Sequence, residues 1–195
     1  MLRRKAADDR GDRFQQWLES LEPRWQAPVR AALASRDQYA GIVERTPTGP
    51  TRDRLDGLRV TVDTAVARVA DATWRAANAS VVAAGLDVDG ATAELKAARR
   101  RLEAAPQSGP EAEVARARVD ALAERHRAMH DALNLAEDAA GRLAEANVRL
   151  ETLVARAATV ALRSGGGDPL DELETELRSV VDGLGALDDA LAEFG

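Results

Sequence analysis

Ala112, Ala115, Val119, Leu122, His126, Met129, Leu133, Ala136, Ala140, Leu143, Asn147, Leu150, Val154, Ala157 and Ala161 follow one another at alternating steps of three and four residues. Thirteen of these fifteen are apolar. Such steps keep side chains on one stripe of a helix, and a stripe of that kind needs a second helix to cover it. Proline and glycine bound the run on both sides, at Pro106-Gln107-Ser108-Gly109-Pro110 and at Ser164-Gly165-Gly166-Gly167-Asp168-Pro169. Neither residue is comfortable inside a helix. The spacing therefore predicts one helix of about fifty residues.

The segment before it has the same period. Leu55, Leu58, Val62, Ala65, Val69, Ala72, Ala76, Ala79, Ala83 and Leu86 form one series, and Val88, Ala91, Leu95, Ala98, Leu102 and Ala105 form another. The phase changes at Gly85-Leu86-Asp87-Val88-Asp89-Gly90, where a kink or short interruption is expected. Residues 52–105 and 110–163 have equal length and are joined by four residues, so they should lie antiparallel. In that pairing Trp74 faces Gly141, Asn147 faces Arg68, and Asp87 and Asp89 face His126 and His130. Leu170, Leu173, Leu177, Val180, Leu184, Leu187, Leu191 and Phe194 continue the pattern in the last segment without exception.

Composition supports an all-α chain. Of 195 residues, 41 are Ala, one is Ile, and aromatics make up 3%. Ala is the strongest helix former, and strand formers are scarce. The expected architecture is a long antiparallel helical hairpin, a coiled coil, with N- and C-terminal helices packing at its base as a three- or four-helix bundle. Its parts are a Pro-kinked N-terminal segment (1–50), the hairpin (51–163, turn at 106–109), and a Gly-rich hinge with a C-terminal amphipathic helix (164–195). Thr51, Asp89 and Asp168 are the expected helix caps, with Ser108 and Glu111 as a capping box.

Charge and motif content exclude more than they assign. The net charge is −6, which disfavours general nucleic-acid binding. Without Cys there is no disulfide, thiolate ligand or thiol nucleophile. No apolar run approaches the length of a membrane span, and the basic start Met1-Leu2-Arg3-Arg4-Lys5 lacks the apolar stretch of a signal peptide. The expected home is the cytoplasm, with a position peripheral to a membrane as the alternative. No nucleophile elbow, P-loop or dinucleotide fingerprint occurs. No catalytic or cofactor-binding residue is assigned, no cofactor is expected, and the chain is read as a non-enzyme.

Four groups of residues remain as candidates. His126 and His130, four apart, share a helix face; with Asp87 and Asp89 opposite they are the weak candidates for a metal, and none is assigned. Lys96, Arg99, Arg100 and Arg101 lie near the hairpin turn, beside Glu103, Glu111 and Glu113, and suit an acidic partner or anionic lipid heads. Phe14, Trp17, Leu18, Leu21 and Trp25 could contact a membrane surface, or pack against the hairpin base; Asp8, Asp9, Asp12, Glu19 and Glu22 would be repelled by anionic lipid. The stripe Leu170–Phe194 is the expected contact for a protein partner or a second copy, unless it closes the chain's own bundle.

The expected function is that of a helical interaction or scaffold protein acting through apolar helix faces, with a peripheral membrane protein as the alternative and a metal-binding bundle as a third. The order of parts, a long hairpin followed by a link and a further helix, is similar in topology alone to the membrane-remodelling PspA and ESCRT-III families. That likeness implies assembly on a membrane surface and carries over no residue.

Overall fold

The structure is a computed structural model that describes residues 13–162 and 168–193. Every regular element among them is a helix. A short helix α1 covers 13–20 and is followed by α2 (Pro23–Arg45), α3 (Pro50–Gly57), α4 (Arg59–Ala84), α5 (Val88–Ala104), α6 (Pro110–Leu162) and α7 (Asp168–Ala192).

The breaks follow local chemistry. Pro23 opens α2 at a position where its missing N–H costs nothing, while Pro28 is accommodated within the helix. Pro50 opens α3 directly after Gly49, so Thr51 is helical and the cap carries no side-chain bond. Pro110 likewise opens α6 after Gly109, whose φ of +104° is one that only glycine adopts cheaply. The Gly109 carbonyl accepts the Glu113 N–H at 3.2 Å, leaving Ser108 outside the helix rather than capping it. Asp168, the remaining expected cap, lies at the first residue of α7, and its side chain is outside the described residues. Between α4 and α5 the cap is Asp87, not Asp89. Its carboxylate accepts the Gly90 N–H at 2.8 Å, and a Cβ at Gly90 would come within 2.1 Å of that carboxylate. A side chain at position 90 would therefore displace the capping carboxylate from its place.

One interruption has no counterpart in the sequence reading. The helix is interrupted at Leu58, splitting α3 from α4, and the Leu55 carbonyl there accepts the Leu58 N–H at 3.1 Å. Its second acceptor site is filled from α2, where the buried Tyr39 hydroxyl donates at 2.7 Å.

Helices α4 and α6 form the centre, and α2 and α7 each pack against both of them. The contiguous core joins Trp25, Tyr39 and Val43 of α2, Val62 and Val69 of α4, Leu143, Leu150 and Val154 of α6, and the leucines of α7. Two stripes, not one, are buried on the central helices. On α6, Ala139 and Leu153 are buried beside the expected series; on α4, Val66 and Thr73 are. A helix with three neighbours buries more of its circumference than a helix with one. Ion pairs fasten α7 along its length: Asp171 to Arg54, Glu172 and Glu176 to Arg156 at 3.1 and 2.5 Å, and Asp188 to Arg75 at 2.6 Å.

Beyond this body, α5 packs against the first half of α6 and against no other helix to any extent. No residue of α5, and none of α6 before Leu135, belongs to the contiguous core.

Candidate interaction surface

The arm made by α5 and the first half of α6 is held by a thin seam of Ala91, Leu95, Ala98, Ala112 and Met129. The register is antiparallel: Thr92 Oγ1 meets His126 Nε2 at 3.0 Å, and Arg125 donates to Glu94 at 3.1 Å. At the turn, Arg116 donates to the Gln107 carbonyl at 2.8 Å and pins the loop back on α6.

The outer end of the arm is basic. Residues 95–119 carry six basic and three acidic side chains in a chain of net charge −6. Lys96, Arg99, Arg100, Arg101 and Arg118 are exposed and make no ion pair among the described residues. On the body, Arg24, Arg54, Arg59, Arg75, Arg149, Arg156 and Arg178 are each paired with a carboxylate, while Arg30, Arg45, Arg68 and Arg142 have no ion pair among the described residues but are scattered over different helices rather than gathered at one end. Beside the unpaired cations lies a shallow apolar notch of about 380 Å³, bounded by Ala98, Val114 and Ala115 between Arg101 and Arg118. Val114 is 70% exposed. The three acids beside this patch are Glu103, Glu111 and Glu113, as the sequence places them.

The other candidates fare differently. The His126 and His130 rings meet at a tilt with centroids 4.5 Å apart, and His126 is engaged with Thr92. Asp87 is committed to its cap and Asp89 is exposed. Among the described residues, no group of three or more His, Asp or Glu is placed to hold a metal ion. Asn147 does not meet Arg68. It is buried, and its amide donates to the Pro28 carbonyl of α2 at 3.1 Å, fixing α6 against α2 at the proline. The Arg68 guanidinium instead lies over Gly185 of α7.

Trp74 does not cover Gly141. A Cβ on Gly141 would meet open space, and Trp74, 51% exposed, lines an apolar groove of about 350 Å³ with Val82, Ala132, Leu135 and Leu191. Near the N-terminus, Leu18 and Trp25 belong to the interior, while Phe14, Trp17 and Leu21 are half-buried. The Phe14 and Trp17 rings meet at 5.1 Å, and Arg24 lies over the Trp25 ring at 4.9 Å. Leu18 and Trp25 thus have no face left for a membrane in this arrangement. The basic start, residues 1–5, lies outside the described residues, as do Asp8, Asp9 and Asp12.

The α7 stripe faces the chain's own helices, the second of the two arrangements that its sequence allows. Leu170, Leu173, Leu177, Val180, Leu184, Leu187 and Leu191 are all buried by the chain's own α4 and α6. A complete apolar stripe on the last helix closes this body and offers a partner nothing while it is docked. Phe194 lies outside the described residues. The sequence did place Lys96 and Arg99–Arg101 at the arm's end, but not Arg118 or the notch, which need the register of α6 against α5.

No family model matches the chain, and comparison with curated proteins and with solved structures finds no match. No helix of the described residues is long and apolar enough to cross a membrane.

Proposed function

We propose that this chain is a non-enzymatic helical scaffold whose arm is the docking element. In this reading α4, α5 and α6 form a long antiparallel coiled-coil hairpin, and α2 and α7 complete a four-helix bundle at its base. One observation carries the reading: the arm lies outside the contiguous core, yet gathers five exposed cations without ion pairs around an exposed apolar notch. A segment that contributes nothing to the core, and keeps charges uncompensated at its end, is poorly explained by stability alone.

The mechanism is helix-on-helix recognition at a rigid end. The body fixes α6, whose 53 residues extend about 80 Å at 1.5 Å per residue. The arm holds the notch and its cations at the far end of that rod, so little ordering is needed on binding. A cytoplasmic setting suits this reading.

The test is an arm-shortened chain in which 95–119 is replaced by a short Gly-Ser turn, with a photo-cross-linking residue at position 100 or 114 of the full chain. The body should keep its unfolding transition, and the cross-links formed in cells by the full chain should disappear when unlabelled full chain competes but persist when the shortened chain does. Loss of body folding on shortening, or equal competition by both chains, would refute the assignment.

A further inference from the structure

We propose that the basic end of the arm docks on the outer face of α7 in a second copy of this chain. The proposal deepens the docking role assigned to the arm, but rests on a separate observation, a charge complementarity that one chain leaves unused.

Helix α7 carries eight acidic side chains and one Arg. Asp171, Glu172, Glu174, Glu176 and Asp188 have arginine partners within the chain. Asp182 and Asp189, with Glu193 just beyond the helix, have none among the described residues and are exposed. Their spacing of seven and four puts them on one stripe, with the exposed Ala186 between them. Gly183 beside them faces open space. The stripe is therefore narrow and smooth, and another helix can approach it closely.

The opposite stripe exists on the arm. Lys96, Arg99 and Arg100 recur at the same three-to-four spacing on α5, all exposed and unpaired among the described residues. Arg101 and Arg118 flank the notch beside them. Within one chain the two stripes do not meet, because α5 packs on α6 and has no appreciable contact with α7. Each stripe is thus left with uncompensated charge of one sign that a second copy can neutralise.

The contact is heterologous, joining two different patches, and is built from exposed ion pairs. It is therefore weak, additive over several pairs, and strongly salt-dependent.

The experiment uses the full chain and two charge reversals. One variant is R99E/R100E/R101E on the arm, the other D182K/D189K/E193K on and beyond α7. Sedimentation velocity follows mass against concentration at about 10 mM and about 1 M salt, where the screening length falls from about 30 to about 3 Å. At low salt the unaltered chain should rise above its monomer mass of 20.8 kDa, and at high salt return to it. Each variant alone should associate at least about tenfold more weakly. An equal mixture should recover association, since every arm then meets a helix of opposite sign. R99Q/R100Q/R101Q repeats the arm test without introducing new carboxylates, and circular dichroism checks that each variant keeps its helix content.

A chain that stays monomeric at low salt would overturn the proposal, as would variants that associate like the parent or a mixture that does not recover. Binding of the monomeric chain through Arg99–Arg101 to phosphatidylglycerol vesicles or to a DNA duplex would overturn it in favour of another partner. The docking role of the arm would survive all of these outcomes, because it is tested by competition in cells.

Discussion

Tyr39 is the only tyrosine in the chain, so its titration and its removal are both read without interference. It is 2% exposed, and its hydroxyl donates to the Leu55 carbonyl where the helix is interrupted between α3 and α4. Burial pushes the hydroxyl well above its ordinary value, the Arg59 cation pulls it partly back, and Asp56 adds to the rise. The folded state therefore holds this proton more tightly than the unfolded state. The stabilisation is complete below about pH 10, the ordinary tyrosine value, and is lost as pH rises from there through the folded-state value. The loss runs at about 1.4 kcal/mol per pH unit in that window.

Tyr39→Phe keeps the ring packing and removes one hydrogen bond. The Leu55 carbonyl retains the Leu58 N–H, so no buried acceptor is orphaned. The cost is then about 1 kcal/mol, or about 2–4 °C in Tm for a chain of this size. Absorbance at 295 nm reports tyrosinate, and ellipticity at 222 nm reports helix. Tyrosinate should appear only as the helix melts, and the Phe variant should lack the alkaline slope. A tyrosinate midpoint near about pH 10 in a fully helical protein would refute the burial of Tyr39.

Three further outcomes are expected. Leu177→Ala empties a site that is 1% exposed, so it should cost about 2–5 kcal/mol in urea unfolding with no change in mass at high salt; unchanged stability would place α7 off the body. Asp87→Ala removes the α5 cap and should cost about 1 kcal/mol, read as faster hydrogen exchange in α5 while α4 keeps its protection. Gly109→Ala meets no neighbouring atom, so the cost, about 1 kcal/mol from the positive φ alone, should likewise appear in the arm and not in the body.

Much of the helical pattern was legible because a stripe every three and four residues has one physical meaning. None of the fifteen positions from Ala112 to Ala161 is exposed, and the phase change at Gly85–Gly90 marks a real break. The second buried stripes, through Val66 and Thr73 and through Ala139 and Leu153, were not read. A two-helix pattern has no way to register the third and fourth neighbours that bury them. The α2 face of Trp25, Val29, Ala32, Tyr39 and Val43 is hidden in the sequence by Pro23 and Pro28, which suggest a broken helix; Pro23 opens α2 and Pro28 lies within it. The interruption at Leu58 follows Gly57 and is accompanied by a hydrogen bond from the Tyr39 hydroxyl, sixteen residues upstream of the Leu55 carbonyl that accepts it, a long-range contact.

The site candidates divide in the same way. Basic residues that follow one another on α5 are local and were found; Arg118 joins them only through interhelical register. The α7 stripe is legible as apolar, but a stripe does not say whose helices cover it. Trp74 and Gly141 were misplaced by a pairing rule that fixes position along the axis and not the side of the helix.

The extension of the arm beyond the body is tested most directly by small-angle X-ray scattering at about 1 M salt, where association is screened. A compact chain of 195 residues has a radius of gyration of about 16 Å. With α6 as a continuous rod of about 80 Å, the account requires a clearly larger radius and a maximum dimension of at least that length. A radius near the compact value would mean that α5 and the first half of α6 fold back on the body, and the arm would not exist.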